Sequence, residues 1–184
     1  MKTLRLYGAG LLLALLLALA ACGTSGGGGG VAWTPRISWT TNHLYGVTYG
    51  NGLFVAVGDG GTIRTSPNGA TWTPQASGTT NHLLGVTYGN GTFVAVGLGG
   101  TILTSPNGTT WTPRTSGTGN WLWGVAYGNG TFVAVGERGT ILTSPDGVTW
   151  TAQASGTSNL LRGVAYGNSL FVAVGHGGTI LTSP

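Results

Sequence analysis

Apolar and polar positions along the chain follow a pattern that recurs every 39 residues. Trp33, Trp72, Trp111 and Trp150 mark the same point in successive units. Short runs of β-branched and aromatic residues alternate with glycine-rich turns, and no stretch after residue 30 has the 3.6-residue period of a helix. The pattern predicts four short strands in each unit, which in the first unit are 44–49, 53–57, 62–65 and 71–74.

Turn residues separate these predicted strands. The Asn51-Gly52 pair suits a tight hairpin, because both central residues of such a turn need positive φ. Segments 58–61 and 67–69 supply the other two turns of the unit. Four strands in a repeat of about 40 residues are the signature of a propeller blade. We therefore expect an all-β, four-bladed β-propeller over residues 31–184.

The two ends of the repeat region complement each other. The printed sequence reaches residue 184 at the end of the fourth unit's third strand, and residues 30–33 match the approach to a fourth strand at 147–150. We expect the N-terminal strand to complete the last blade and close the ring within a monomeric domain, which leaves no exposed sheet edge. The alternative is an open four-blade fragment, or two such chains that form a larger propeller.

Residues 65–72 read Thr-Ser-Pro-Asn-Gly-Ala-Thr-Trp, and 104–111 and 143–150 repeat this pattern closely. The pattern resembles the Asp-box, or BNR, repeat, (Ser/Thr)-x-Asp-x-Gly-x-Thr-Trp. All three copies have Pro where the family has Asp, and the acidic or amide residue lies one place later. The resemblance implies a propeller in which the boxes are structural turns on the face away from the ligand site. Sialidases, glycan binders and photosystem assembly factors share such propellers, so the resemblance selects no single function.

The first thirty residues have the layout of an export signal. Lys2 and Arg5 precede an apolar run at 11–20, which is about half the length that a membrane span requires. The run ends in a Leu-Ala-Ala-Cys sequence that resembles the bacterial lipobox, and this implies cleavage after residue 21 and lipid attachment to Cys22. Residues 22–30 then form a glycine-rich tether. We expect an exported protein of the bacterial cell envelope, anchored in the outer membrane if the cell is Gram-negative, as Gly23 after the cysteine implies.

The charge of the repeat region argues against nucleic-acid binding. After Cys22 the sequence has five arginines, no lysine and three acidic residues, and the arginines are scattered singly rather than clustered on one segment. The three histidines have no spacing typical of a metal site. We therefore expect no nucleic-acid partner, no metal and no cofactor.

Residues that differ between units concentrate before and within the first strand and after the second. In a propeller these connections emerge on one face, around the mouth of the central channel. Aromatic rings with a few polar groups suit a glycan or an envelope protein as ligand. The candidate ligand-binding residues are Trp39, His43, Tyr45, Asp59, His82, Trp121, Trp123, Glu137, Arg138, Arg162 and His176.

Catalysis is not expected. Asp59 and Glu137 are the acidic residues on the variable face, and they lie two blades apart without the supporting groups of a catalytic pair. The sequence favours a binding module. A structural or assembly scaffold without a small ligand is the alternative, and a glycosidase-like enzyme is the remote one.

Overall fold

The computed structural model describes residues 31–183 of the chain. Residues 1–34 and 35–184 form two separate units. The described part of the first unit, residues 31–34, is exposed and has no regular structure. The predicted signal peptide, the lipid-bearing Cys22 and the tether lie outside the described residues.

The second unit consists of four antiparallel sheets, and each sheet is formed by one sequence repeat. In every sheet the strands follow one another as a simple meander, and we number the sheets as blades 1 to 4. Blade 1 contains β1 (Leu44–Gly50), β2 (Leu53–Gly58), β3 (Ile63–Ser66) and β4 (Thr73–Gln75). Blade 2 contains β5 (Leu83–Gly89), β6 (Thr92–Gly97), β7 (Ile102–Ser105) and β8 (Thr112–Arg114). Blade 3 contains β9 (Leu122–Gly128), β10 (Thr131–Gly136), β11 (Ile141–Ser144) and β12 (Thr151–Gln153), and blade 4 contains β13 (Leu161–Gly167), β14 (Leu170–Gly175) and β15 (Ile180–Ser183).

The turns within a blade follow the sequence prediction. In blade 1 the hairpin residues Asn51 and Gly52 have φ of 48° and 75°, and Asp59–Gly61 forms a 3₁₀ turn between β2 and β3. In the next turn, Asn68 Oδ1 accepts hydrogen bonds from the backbone N–H of Ala70 and Thr71. The residue one place after the proline therefore closes this turn. The strand and turn predictions are confirmed.

The apolar core lies between consecutive blades. Tyrosine, phenylalanine and aliphatic side chains of one blade pack against the valines and isoleucine of the preceding blade, which produces three clusters of buried residues. Between blades 1 and 2, for example, Val55, Val57 and Ile63 meet Phe93 and other apolar residues of blade 2. Each blade is thus stabilised by its neighbours, as in a propeller. The described residues confirm the all-β propeller fold with 39-residue blades.

Closure of the ring by the N-terminal strand is not observed. Residues 31–43 form no strand, and blade 4 has three strands among the described residues. Val47 of β1 and Val174 of β14 are 63% and 45% exposed, whereas Val57, Val96 and Val135, the equivalents of Val174, are completely buried. Three clusters of buried residues join the four blades, and the outward faces of blades 1 and 4 have exposed valines among the described residues. The fourth strand that the prediction gave to blade 4 is not formed by residues 31–43.

Membrane insertion by a helix has no candidate in the part of the chain that the structure describes. No helical segment there has the length and apolar character that crossing a bilayer requires.

Candidate functional site

The first strands of the four blades, β1, β5, β9 and β13, lie side by side in that order. Near the beginnings of these strands, a surface cleft with a volume of about 650 Å³ contains residues from every blade. Its volume falls in the range of small-molecule sites. The lining residues are Tyr45, His82, Leu84, Leu98, Trp121, Trp123 and Arg162. Five of the sequence-predicted residues thus share one cleft.

Two tryptophans of blade 3 provide the aromatic part of the cleft. The ring centroids of Trp121 and Trp123 are 6.1 Å apart, and the ring planes are inclined by 47°. Trp121 lines the cleft and is 41% exposed. The Trp123 Nε1–H is buried and has no hydrogen-bond acceptor among the described residues.

Arg162 of blade 4 lies over Trp123. Its guanidinium carbon is 4.5 Å from the centroid of that ring, a cation–π arrangement. The contact spans two blades because residues 123 and 162 occupy the same place in consecutive repeats, as the second residues of β9 and β13. The exposed Arg162 side chain thus brings a positive charge to an aromatic surface.

Asp59 does not itself line the cleft, but it contacts two residues that do, Tyr45 and His82. Tyr45 Oη donates a hydrogen bond to Asp59 Oδ1 at 2.6 Å, and His82 Nδ1 lies 2.5 Å from the same oxygen. The backbone N–H of His43 donates to Asp59 Oδ2 at 3.3 Å, while the Asp59 N–H donates to the His43 carbonyl at 3.0 Å. These contacts hold the turn after β2 against the approach to β1. The Asp59–His82 pair also joins blade 1 to blade 2.

This network shifts the acidity of two groups. The hydrogen bond from Tyr45 is the largest cause that lowers the pKa of Asp59 below its ordinary value of 3.8, and the His82 and His43 contacts act in the same direction. The same bond is the largest cause that raises the pKa of Tyr45 above 10.0, because ionised tyrosine cannot donate it. Near neutral pH, therefore, Asp59 is a carboxylate and Tyr45 is protonated.

Glu137 occupies in blade 3 the place that Asp59 has in blade 1. Its Oε2 accepts a hydrogen bond from the Trp121 backbone N–H at 3.1 Å, and its own N–H donates to the Trp121 carbonyl at 2.9 Å. Glu137 does not line the cleft. It fixes the backbone of Trp121 and so positions one of the two cleft tryptophans.

Four other predicted residues do not line the cleft. His43 lies next to Tyr45, with ring centroids 6.4 Å apart, and Arg138 and His176 are exposed on the turns after β10 and β14. Trp39 is 70% exposed in the segment before β1, and its carbonyl accepts a hydrogen bond from Arg64 at 2.8 Å.

Two lining residues were absent from the sequence-based set. Leu84 and Leu98 of blade 2 occupy the positions of Tyr45 and Asp59 of blade 1, one repeat later. Both are variable positions, and this signal could have identified them. Their apolar side chains gave no indication of ligand chemistry.

In the described part of the chain, no three His, Cys, Asp or Glu side chains form a group that could hold a metal ion.

Comparisons with known proteins support the propeller fold and do not identify a family or a function. No family model matches the chain, and no curated protein matches it significantly. Among solved structures, it is similar to the computationally designed Ika4 protein, with a TM-score of 0.66, 13% identity, and coverage of 78% of this chain and 92% of that one. YCF48 from Cyanidioschyzon merolae gives a TM-score of 0.62 at 19% identity, with coverage of 79% and 54%. The WD40 β-propeller domain of Doa1 gives 0.56 at 16%, with coverage of 76% and 53%. The chain spans about half the length of the last two structures.

Proposed function

We propose that this protein is a non-catalytic binding module whose aromatic cleft holds a glycan. The observation that carries the proposal is the convergence of variable residues from all four blades on one cleft, which Trp121 and Trp123 line together with Tyr45 and His82, the two side-chain partners of Asp59. Apolar sugar faces stack on aromatic rings, and carboxylate, imidazole and guanidinium groups bond the sugar hydroxyls.

The lowered pKa of Asp59 does not suit the general acid of a glycosidase. A glycosidase general acid must hold its proton near neutral pH, which requires a raised pKa. The contacts of Asp59 lower its pKa instead. The carboxylate is therefore suited to accept hydrogen bonds from a ligand, and its two partners already orient it.

The location of this binding function follows from the leader sequence. We propose that the chain is exported and attached through a lipid on Cys22, so that residues 23–30 tether the propeller to the cell envelope. A glycan on the envelope surface would then lie within reach of the cleft. The Asp-box resemblance is consistent with this arrangement, because its turns lie between the third and fourth strands, away from the first strands that form the cleft.

Tryptophan fluorescence can test the proposal directly. The full chain is titrated with neutral oligosaccharides and with oligosaccharides that contain uronic acids, and a saturable change in emission is expected for at least one class. Trp121→Ala should weaken that binding about tenfold, the equivalent of about 1.4 kcal/mol, as expected for loss of a stacking ring. Trp123→Ala should weaken it as well, since Arg162 also loses its aromatic support.

Trp39→Ala is the matched control, because Trp39 is an exposed tryptophan outside the cleft. Its affinity for the same saccharide should stay within about twofold of the unaltered chain, because surface substitutions away from a site change little. Saccharide binding that all three variants retain would refute the cleft. If no saccharide binds, and an envelope protein recovered by pull-down is lost only in the Trp121 variant, the cleft is a protein-docking scaffold instead.

A further inference from the structure

The outward faces of blades 1 and 4 contain the same kinds of residues as the two sides of each contact between neighbouring blades. At each inner contact a tyrosine ring lies on a glycine of the preceding blade, and a Cβ built on Gly128 would be 2.0 Å from the ring of Tyr166. Gly50 and Gly89 have the same relation to Tyr88 and Tyr127. Gly167 continues the glycine series, and a Cβ built on it would meet no atom within 4 Å among the described residues outside its chain neighbours. Tyr49 begins the tyrosine series and is 58% exposed.

A second match involves a cleft between blades 3 and 4. The cleft has a volume of about 430 Å³, and Val133, Phe171 and Leu181 line it. The equivalent residues between blades 1 and 2 belong to the cluster that encloses Trp111, which is only 9% exposed. Trp33 is the equivalent tryptophan one repeat before Trp72, and it is 92% exposed. The cleft thus lies where a tryptophan of this type would be buried.

A third match is the strand edge of blade 4. In blade 1, Ile63 pairs with Gln75 as β3 lies beside β4. The residues equivalent to this pair, at the same places in the repeat, are Ile180 and Arg36. Ile180 is 68% exposed, whereas Ile63 is 1% exposed. In blade 2 the corresponding Arg114 Nε donates to Thr104 Oγ1 at 2.8 Å, and Arg36 could make the same bond to Thr182.

We propose that a second copy of this chain docks head to tail, with its blade 1 on blade 4 of the first copy. Residues 33–36 of the incoming copy would form a strand beside β15, with Trp33 in the cleft between blades 3 and 4 and Tyr49 on Gly167. One occupant offers all three matching parts, because residues 33–36 and the blade 1 face belong to the same chain, with residues 37–43 between them and β1. The contact reproduces the one already present between blades within the chain.

The second copy fits better than the first copy's own N-terminus. Similar contacts join blades 1 to 2, 2 to 3 and 3 to 4, and after the third the two end faces are still uncovered. A head-to-tail contact uses different surfaces on the two partners, and two such contacts close a ring of two chains.

Arg64 is a charged residue on the outward face of blade 1, which is one side of the proposed contact. It stands where Leu103, Leu142 and Leu181 stand in the other blades, and its Nη2 donates to the Trp39 carbonyl at 2.8 Å. The guanidinium is thereby held toward the segment before β1, and the aliphatic part of the side chain can still pack. A charge at this point disfavours unspecific apolar association of the face.

Native mass spectrometry of the full chain, released from detergent, tests the contact. We expect a species of two chains for the unaltered protein. Gly167→Leu should give a single chain with an unchanged circular dichroism spectrum, because the site is open in one chain and Gly167 lies outside the left-handed region. Tyr49→Asp should also give a single chain, since it places a charge on the opposite half of the contact.

Mixing the two variants separates head-to-tail docking from other dimers. Each variant retains one intact half, so a mixture should form heterodimers that neither variant forms alone. A single-chain mass for the unaltered protein at every concentration would overturn the proposal, and so would a dimer that both substitutions leave intact or a mixture without heterodimers. Saccharide binding by the single-chain Gly167→Leu variant tests the proposed function independently.

Discussion

The contact between blades 2 and 3 and the outward faces of blades 1 and 4 contain nearly the same residues in opposite surroundings. Ile102 in β7 is 1% exposed, whereas Ile180, at the same place in blade 4, is 68% exposed. The two side chains occupy the same position on a strand of the same sequence, Ile-Leu-Thr-Ser. Their burial therefore depends on the neighbouring blade and not on the strand itself.

This difference shows that a propeller blade is an incomplete unit of stability. One sheet cannot bury both of its faces, so each blade obtains its apolar core from the blades on either side. An unpartnered end blade should consequently contribute less to stability than an inner one. The predictions below test that difference, beginning with the largest expected effect.

Substitutions of Ile102 and Ile180 should differ most in their effect on the free energy of unfolding. Ile102→Ala leaves a cavity in a packed core and should lower the free energy of unfolding by about 2–5 kcal/mol. Ile180→Ala removes an exposed side chain and should change it by less than about 0.5 kcal/mol in the dilute protein. Urea denaturation of both variants at low protein concentration measures the two values.

Protein concentration makes the isoleucine comparison more informative. If a second copy covers blade 4, the effect of Ile180→Ala should grow with concentration, since association stabilises the folded state by mass action. The effect of Ile102→Ala should not depend on concentration. Equal losses for the two variants in the most dilute sample would contradict the difference between inner and outer faces.

Substitutions of Gly128 and Gly167 should show an intermediate difference in their effect on stability. Gly128→Ala places a methyl group against the Tyr166 ring and should cost about 1–3 kcal/mol through overpacking. Gly167→Ala meets open space and should leave the melting temperature of the single chain unchanged. Calorimetry at low protein concentration measures both. A melting temperature that Gly128→Ala leaves unaltered would mean that tyrosine does not rest on glycine at the inner contacts.

The Asp59 network should give the smallest effect, since it lies at the exposed rim of the contact between blades 1 and 2. With its pKa lowered in the folded state, Asp59 contributes stability above about 3.8, and that contribution is lost as pH falls through the lowered pKa. A carbon NMR titration should therefore place the Asp59 inflection below 3.8. Tyr45→Phe removes the largest cause and should move the inflection upward, whereas Trp39→Phe should not. An inflection that Tyr45→Phe leaves in place would exclude the hydrogen bond.

Local features of the fold could be read from the residues alone. Alternation of apolar residues marked the strands, and Asn51-Gly52 marked a hairpin that the structure contains. The variable positions led to most of the cleft, including Trp121, Trp123 and Arg162. Trp39 departs from that prediction because its carbonyl is bonded to Arg64 and its segment precedes β1, outside the cleft. No periodic pattern reports such a bond between residues 25 positions apart.

Ring closure could not be predicted from the sequence. The complementary ends, Trp33 at one side and β15 at the other, predict a strand beside β15, and residues 31–43 form no strand. The two ends carry no information on whether the partner surface belongs to the same chain. That choice depends on the angle between neighbouring blades. Small packing differences at each contact change this angle, and the changes add up over the four blades.

The sequence by itself determined the blade: strand positions, turn types and the 39-residue period follow from backbone sterics and from the two-residue alternation of a strand, which are short-range effects. Only the tertiary structure decided which side chains meet. Tyr45, His82, Trp123 and Arg162 come from four different blades, and side-by-side packing of the first strands brings them into one cleft. The uncovered ends have the same origin, because contacts between blades form through side-chain packing across units that the repeat pattern describes only one at a time.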